Sequence, residues 1–142
     1  MSTMTAQATQ VYQLYIRATP EAIWNAITKP EFTQKYFYSV PVRVTPETFD
    51  GGDSAQGTVT EFEPSRKLVH SWRALYDEET AVEPESRVTW EIEPLENGTC
   101  LLTVVHDQLE ASPKTAESVS GGWMLVLSGL KTLLETGKPL AD

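Results

Sequence analysis

Alternating apolar and polar positions predict β-strands in the second half of the chain. Val88, Trp90 and Ile92 alternate with polar residues, and this period of two is typical of a strand with one buried and one solvated face. Asn97-Gly98 follows this strand and precedes an apolar run over 101–106. Because Asn-Gly is the strongest short hairpin signal, the two segments are predicted to pair as an antiparallel hairpin.

Other runs of β-branched and aromatic residues predict further strands. These runs are 11–16, 58–62 and 68–73. Within the last of them, Leu68, His70 and Trp72 share one face, and in the strand 101–106 the same alternation places His106 on the inner face. Both histidines are therefore expected in the interior of the protein.

The segment between the first helix and residue 58 gives weaker signals. Residues 41–44 are a marginal strand candidate, and the stretch 51–57 reads as a glycine-rich turn. Further along, the acidic stretch 77–85 predicts a solvated loop, which is the usual behaviour of a run of like charges.

Two helices are predicted near the start of the chain. Thr19-Pro20 combines an N-cap residue with a proline at the first helical position. The apolar stripe that follows contains Ile23, Trp24 and Ile27, and Pro30 disfavours helical geometry before it, so the first helix should stop near residue 28. A second, shorter helix is predicted over 31–36.

The longest helix is predicted at the end of the chain. Ser112-Pro113 has the residues of a helix start, and Gly137 with Pro139 has those of a helix stop. The apolar stripe consists of Val119, Trp123, Val126, Leu127, Leu130 and Leu134. Gly121-Gly122 costs helix stability, so either the sheet or a ligand approaches closely there or the helix begins after the pair.

Length and charge indicate the number of domains and argue against some kinds of partner. The 142 residues fit one domain, predicted over 11–142 after a disordered polar leader over 1–10. The net charge of -9 argues against binding to nucleic acid or to an anionic membrane surface. Neither a secretory signal nor an apolar run of membrane-spanning length occurs, so a cytoplasmic location is predicted.

Chemistry-bearing motifs are sparse. No phosphate-binding loop, dinucleotide-binding loop, nucleophile elbow or zinc-protease motif occurs in the sequence. Cys100 is the only cysteine, and with two histidines it does not make a credible metal site, so neither a metal nor a cofactor is expected. His70 and His106 remain open to three roles: hydrogen-bonded core residues, polar anchors in a ligand cavity, or catalytic groups.

Four segments together resemble the activator of heat-shock-protein-ninety ATPase homologue family, within the START-like (SRPBCC) superfamily. They are ATPEAIWNAIT (18–28), PSRKLVHSW (64–72), SRVTWE (86–91) and the stretch from Gly122-Trp123 to LETG (134–137). The resemblance implies an α+β helix-grip fold, in which a curved antiparallel sheet wraps around a long C-terminal helix. It also implies a cavity that binds hydrophobic or aromatic molecules in many relatives, and no universal catalytic residues.

This chain departs from the family pattern in two ways. The region 40–57 lacks the aromatic- and glycine-rich hairpin expected of relatives, so the cavity mouth or one sheet edge is expected to differ. Eukaryotic activators carry a separate amino-terminal domain that engages the chaperone, and the ten polar residues before the first strand cannot replace it. Stimulation of the chaperone is therefore expected to be weak or absent.

The leading hypothesis is a binding protein for a small apolar or aromatic molecule, acting as a monomer or homodimer. The candidate ligand-binding residues are Tyr36, His70, Trp72, Trp90, His106, Trp123 and Leu127. One alternative is an enzyme using a cavity histidine, for which His106 beside Asp107 is the suggestive pair, although adjacent strand residues face opposite ways. Another is a module for chaperone association or self-association.

Overall fold

A computed structural model describes residues 8–140. The strands are β1 (Gln10–Ile16), β2 (Arg43–Val44), β3 (Thr48–Asp50), β4 (Ala55–Glu63), β5 (Lys67–Ala74), β6 (Ser86–Pro94) and β7 (Cys100–Asp107). The helices are α1 (Pro20–Thr28), α2 (Pro30–Thr33), α3 (Glu78–Ala81) and α4 (Pro113–Thr136). Residues 1–7 of the predicted leader lie outside the described residues.

The seven strands form one curved antiparallel sheet in the order β1-β7-β6-β5-β4-β3-β2. Every neighbouring pair is antiparallel, so short connections suffice between most strands. The β6–β7 hairpin turns at Asn97 and Gly98, whose φ angles of 69° and 74° are those that an Asn-Gly turn supplies. The predicted arrangement of an antiparallel sheet and a long final helix is confirmed.

Helix α1 forms where its sequence signals predict it. The Thr19 hydroxyl accepts a hydrogen bond from the Ala22 amide (3.1 Å), and Pro20 is the first helical residue. Ile23, Trp24 and Ile27 are buried, and the helix ends at Thr28 as predicted.

Helix α4 runs for 24 residues through Gly121-Gly122, so the alternative that it begins after this pair is wrong. Its N-terminus is capped from outside the helix. The Glu83 carboxylate accepts hydrogen bonds from the amides of Lys114 and Thr115 (3.0 and 2.7 Å). Since free amides and the helix dipole both favour an anion there, these bonds lower the pKa of Glu83 although burial opposes them.

Several predicted boundaries are corrected by the structure. Strand β1 begins at Gln10, one residue inside the predicted leader, because Gln10 already pairs with His106 of β7. The buried Gln10 side chain donates to the Ala116 carbonyl (3.0 Å). The second helix ends at Thr33 instead of residue 36. The acidic segment 77–85 contains the one-turn helix α3, capped by Asp77, and is not simply a loop.

The region before residue 58, where the sequence signals are weak, contains two short strands, the edge strand β2 and its neighbour β3. Strand β4 already begins at Ala55, so the glycine-rich turn is shorter than predicted. Gly51 to Ser54 make this turn, since the Gly51 and Ala55 backbones hydrogen-bond across it (2.8 Å). The marginal strand candidate 41–44 corresponds to the two-residue strand β2.

The core lies between the inner face of the sheet and α4. Its largest fully buried side chains include Trp90, Phe49, Leu68, Leu102 and Leu130. Apolar burial of this kind is the dominant favourable term in folding, so the packing of α4 against the sheet carries much of the stability.

We expect Leu130→Ala to lower the free energy of unfolding by about 2 to 5 kcal/mol, because Leu130 is fully buried in this packing. Leu125→Ala is the matched control on the same helix, since Leu125 is half exposed, and its effect should stay within about 0.5 kcal/mol. Urea unfolding of both variants measures the difference. Equal effects would contradict the position of α4 on the sheet.

Candidate ligand-binding site

A pocket of about 350 Å³ lies between α4, the ends of β4 and β5, and the loop after α2. Its volume is within the range of small-molecule sites. The lining residues are Phe37, Tyr38, Val40, Ser54, Ala55, Trp72, Tyr76, Ser118, Val119, Gly122, Trp123 and Val126. None of these side chains carries a charge, and most of them are aromatic or aliphatic.

Two tyrosines form the rim of the pocket. Tyr38 and Tyr76 line it and are both more than half exposed. The Tyr76 hydroxyl is hydrogen-bonded to the Ser118 hydroxyl, which joins the segment after β5 to α4. Tyr38 and Ser39 have φ angles of 54° and 62°. Left-handed backbone is uncommon for residues with side chains and concentrates at functional sites, so the loop beside the pocket is locally strained.

Gly122 leaves room for the pocket beside α4. A β-carbon at this position would lie 3.3 Å from the Tyr38 hydroxyl oxygen, whereas one at Gly121 would meet nothing within 4 Å. The close neighbour at Gly122 is therefore Tyr38, from the loop after α2, and not a strand of the sheet as the sequence suggested; no such neighbour exists at Gly121.

His70 lies in the core beside the pocket and is fully buried. Its Nε2 atom accepts a hydrogen bond from the Trp90 indole (3.0 Å), and its Nδ1 atom lies 2.8 Å from the Ser71 carbonyl oxygen. An indole N–H can only donate, so the neutral ring must carry its proton on Nδ1 and donate it to Ser71. The Phe49 ring stacks on the imidazole at 4.1 Å between ring centroids.

His106 makes a second bond of the same kind. Its Nδ1 atom accepts from the Trp123 indole (3.0 Å), which places the proton on Nε2, 2.7 Å from the Ser86 hydroxyl. The neighbouring Asp107 side chain instead pairs with Arg87 (2.6 Å) at the surface. Asp107 and His106 therefore do not form a catalytic pair, as the alternation of side chains along a strand predicts.

Both histidines are held neutral. Burial lowers the pKa of His70 to about 4 and is the main reason that the pKa of His106 is lowered to about 3, with a further contribution from the nearby His70. The physical cause is the loss of hydration of the charged ring. A proton on the accepting nitrogen would also remove the acceptor that each indole uses.

Trp72 differs from the other two buried tryptophans near the pocket. Its side chain is only 5% exposed, and its ring forms part of the pocket wall. Its indole Nε1 has no hydrogen-bond partner, and it is the only buried side-chain nitrogen or oxygen of which this is true among residues 8–140.

The structure places the seven candidate residues in one region but not all at the pocket. Trp72 and Trp123 line it. Trp90, His70, His106 and Leu127 are buried in the surrounding core.

Tyr36 does not line the pocket and packs about two turns further along the same face of α4, close to Gly129. Its hydroxyl donates to the Ala26 carbonyl (2.6 Å). Burial raises the pKa of Tyr36. Its position is explained by packing between α1, α2 and α4.

Most of the pocket was missed by sequence reasoning. Phe37, Tyr38 and Val40 come from an irregular loop, and Ser54 and Ala55 from a turn and a strand end, where no periodic pattern marks the inner face. The Gly121-Gly122 pair was the one usable signal, because glycine inside a helix needs a packing reason.

Metal sites and membrane-spanning helices were also considered among the described residues. Among residues 8–140 no group of three or more His, Cys, Asp or Glu side chains is placed to hold a metal ion. In the same part of the chain no helix is both long and apolar enough to span a bilayer.

The sheet wrapped around a long C-terminal helix defines a START-like helix-grip protein. The chain belongs to the family described as Activator of Hsp90 ATPase homolog 1-like protein, whose sequence model matches residues 17–135. The resemblance drawn from the four sequence segments is thereby confirmed. A comparison with functionally curated proteins finds no match.

Three solved structures illustrate the similarity of this fold to known proteins. CalU16 from Micromonospora echinospora is 22% identical with a TM-score of 0.74, over 94% of this chain and 77% of that one. An HSP90 activator from Plasmodium falciparum is 21% identical with a TM-score of 0.73, over 94% and 99% of the two chains. The Aha1 dimer from Colwellia psychrerythraea is 19% identical with a TM-score of 0.72, over 93% and 99%. At these identities the likeness shows the fold alone.

We expect the free energy of unfolding to fall as the pH falls from about 6.5 to about 4. The unfolded histidines take up protons near pH 6.5, whereas folded His70 resists protonation down to about pH 4. His70→Gln keeps an acceptor and a donor but does not titrate. The free energy of unfolding of this variant should therefore fall less steeply with pH than that of the wild type, by up to about 1.4 kcal/mol per pH unit. Urea unfolding of both proteins between pH 7 and 4 tests this, and parallel curves would contradict a neutral His70.

Proposed function

We propose that this protein binds a small, uncharged, largely aromatic molecule in the pocket between α4 and the sheet. The observation that carries the proposal is the lining of the pocket. Aromatic and aliphatic side chains supply most of the wall, and hydroxyl groups supply the few polar positions. Small-molecule sites have this composition, in which apolar surface gives affinity and a few polar groups fix orientation.

The absence of charge from this lining favours a neutral ligand. A carboxylate or ammonium group placed in the pocket would lose its hydration without gaining an opposite charge, which is costly. Hydrophobic and aromatic groups have no comparable hydration to lose. In the pocket they would contact Phe37, Trp72 and Trp123.

Binding is better supported than catalysis. A general acid or base must come within hydrogen-bond reach of the reacting group. His70 and His106 lie outside the lining, and both nitrogens of each ring already have partners. Their lowered pKa values also make them weak bases near neutral pH.

The proposal also covers the domain extent, the location and the oligomeric state of the protein. We infer one START-like domain over 11–142 that acts in the cytoplasm as a monomer or homodimer. The net charge of -9 supports a partner other than nucleic acid. Chaperone association and self-association are the alternatives. They are suggested by the descriptions of the Plasmodium activator and the Colwellia dimer.

Filling the pocket should abolish binding. Gly122→Leu places a side chain beside Tyr38 at the pocket, and we expect it to weaken binding of the neutral fluorescent probe N-phenyl-1-naphthylamine by more than about 10-fold. Gly121→Leu is the matched control, because a β-carbon at this position meets nothing within 4 Å. Both changes replace a helical glycine by a good helix former, so neither should lose helix stability.

Probe fluorescence titrated with each protein gives the affinities. Saturable binding to the wild type and to Gly121→Leu, with loss in Gly122→Leu, is the expected pattern. Equal loss in both variants, or no saturable binding to the wild type, would contradict the proposal.

A further inference from the structure

One side of α4 is turned away from both the sheet and the pocket. Its residues follow one another at alternating steps of three and four positions, which places them in one line along a helix. All of them are exposed except Lys131, which is half-buried, and none lines the pocket. This line, called here the outer stripe, consists of Lys114, Glu117, Gly121, Met124, Ser128, Lys131 and Glu135.

The centre of the outer stripe is uncharged and suits contact with another helix. Met124 is 61% exposed, and the neighbouring Leu125 is 50% exposed. Exposed apolar residues that are grouped mark a contact surface more often than residues scattered singly do. Gly121 and Ser128 have small side chains, and the distance between two packed helices depends on the side chains at their contact. A second helix can therefore approach closely at this centre.

Gly121 has no packing partner inside the chain. Glycine lowers the stability of a helix interior, so a contact that needs it is expected. At Gly122 that contact is Tyr38, whereas a β-carbon at Gly121 would meet nothing within 4 Å. A contact from outside the chain would explain Gly121.

The charges at the two ends of the outer stripe are in complementary order. Glu117 and Lys131 each lie seven residues from Met124, on opposite sides of it. Lys114 lies ten residues before Met124, and Glu135 lies eleven residues after it. Two copies of α4 packed antiparallel about Met124 would therefore place Glu117 opposite Lys131 of the second copy, and Lys114 opposite its Glu135. Two-fold symmetry makes each of these ion pairs twice.

The charges favour this orientation over a parallel one. In a parallel pair each residue of the stripe faces its own counterpart, so Glu117 would meet Glu117 of the second copy. Like charges placed together are unfavourable and suppress a wrong orientation, although exposed ion pairs add little affinity. None of the ion pairs within residues 8–140 uses Glu117, while Lys131 pairs with Glu135 in the same helix (2.7 Å).

The net charge of the chain also bears on the choice of partner. Two molecules with a net charge of -9 repel each other over most of their surfaces. The outer stripe contains two acids and two bases, so it is a surface on which two copies can meet without that repulsion.

We infer that the protein forms a homodimer in which α4 packs antiparallel against α4 of a second copy, with the two-fold axis at Met124. The inference concerns a different surface from the pocket and does not depend on a ligand. It selects the homodimer from the two oligomeric states proposed above.

Sedimentation velocity of the full chain measures the association. We expect the wild type to change reversibly from monomer to dimer between about 1 µM and about 1 mM, the range of weak interfaces. Met124→Glu places two carboxylates face to face on the axis, so the dissociation constant should rise by more than about 10-fold. Because Met124 is exposed, this variant should keep its fold.

Val11→Glu is the matched control for Met124→Glu. Val11 is similarly exposed (58%), and the substitution makes the same change of charge. The neighbouring Gln10 and Tyr12 side chains reach α4, so Val11 lies on the opposite face of the sheet. The dissociation constant of this variant should equal that of the wild type.

A charge swap tests the pairing of Glu117 with Lys131. Glu117→Lys and Lys131→Glu each place like charges opposite one another, so each should weaken the dimer. Combined in one chain they restore opposite charges, and the double variant should dimerise at least about 3-fold more tightly than either single variant. The two positions are 14 residues apart on one helix, about 21 Å, so contacts within one chain cannot produce this rescue.

Cysteine cross-linking tests the position of the axis. Position 124 faces its own counterpart in the antiparallel pair, whereas position 128 does not. Mild oxidation with copper phenanthroline should therefore link Met124→Cys into a covalent dimer and leave Ser128→Cys largely unlinked. The native Cys100 is buried and does not compete.

The outcomes separate this inference from the proposed function. A wild type that stays monomeric up to about 1 mM, a dimer that Met124→Glu leaves intact, or a double charge swap no tighter than the single variants would overturn the inference. Equal cross-linking of the two cysteine variants would overturn the antiparallel arrangement. Binding of N-phenyl-1-naphthylamine to Met124→Glu should match the wild type, and failure of this probe to bind to a wild type that dimerises would overturn the proposed function alone.

Discussion

Hydrogen bonds between buried indoles and imidazoles organise the interior of this protein. Trp90 donates to His70 across neighbouring strands, and Trp123 on α4 donates to His106 in the sheet. The second bond links the long helix directly to the strand on which it packs. Each bond requires a neutral histidine in one tautomer, and the apolar surroundings supply that condition by disfavouring the charged ring. The packing of α4 and the electrostatics of the core therefore depend on each other.

The pocket lies where this ordered packing ends. Trp123 belongs both to the paired core and to the pocket wall, whereas Trp72 shares the wall but has no acceptor for its indole. The loop that carries Tyr38 closes one side in a left-handed backbone conformation, and Gly122 gives that side chain room beside the helix. One wall is thus fixed by hydrogen bonds, and the other is an irregular loop.

Family membership accounts for the fold of this protein, whereas the side chains of its pocket determine what it can bind. Membership of the family accounts for the sheet and the gripping helix, but solved structures of about 20% identity show the fold alone, and a shared fold does not decide a function. What this chain binds has to be argued from the side chains at its own pocket. Their neutrality and aromatic character are properties of this sequence in this fold.

The sequence by itself determined helices α1 and α4 and most strands of the sheet, because periodicity, caps and turn residues act over a few neighbouring positions. Thr19-Pro20, Asn97-Gly98 and Gly137 each mark a boundary that the structure retains. Alternation along β5 and β7 also placed His70 and His106 inside. Only the tertiary structure decided which inward side chains meet each other and which face the pocket. Those contacts join residues such as Tyr38 and Gly122, or Trp123 and His106, that come from separate elements, and no local pattern encodes the distance between them.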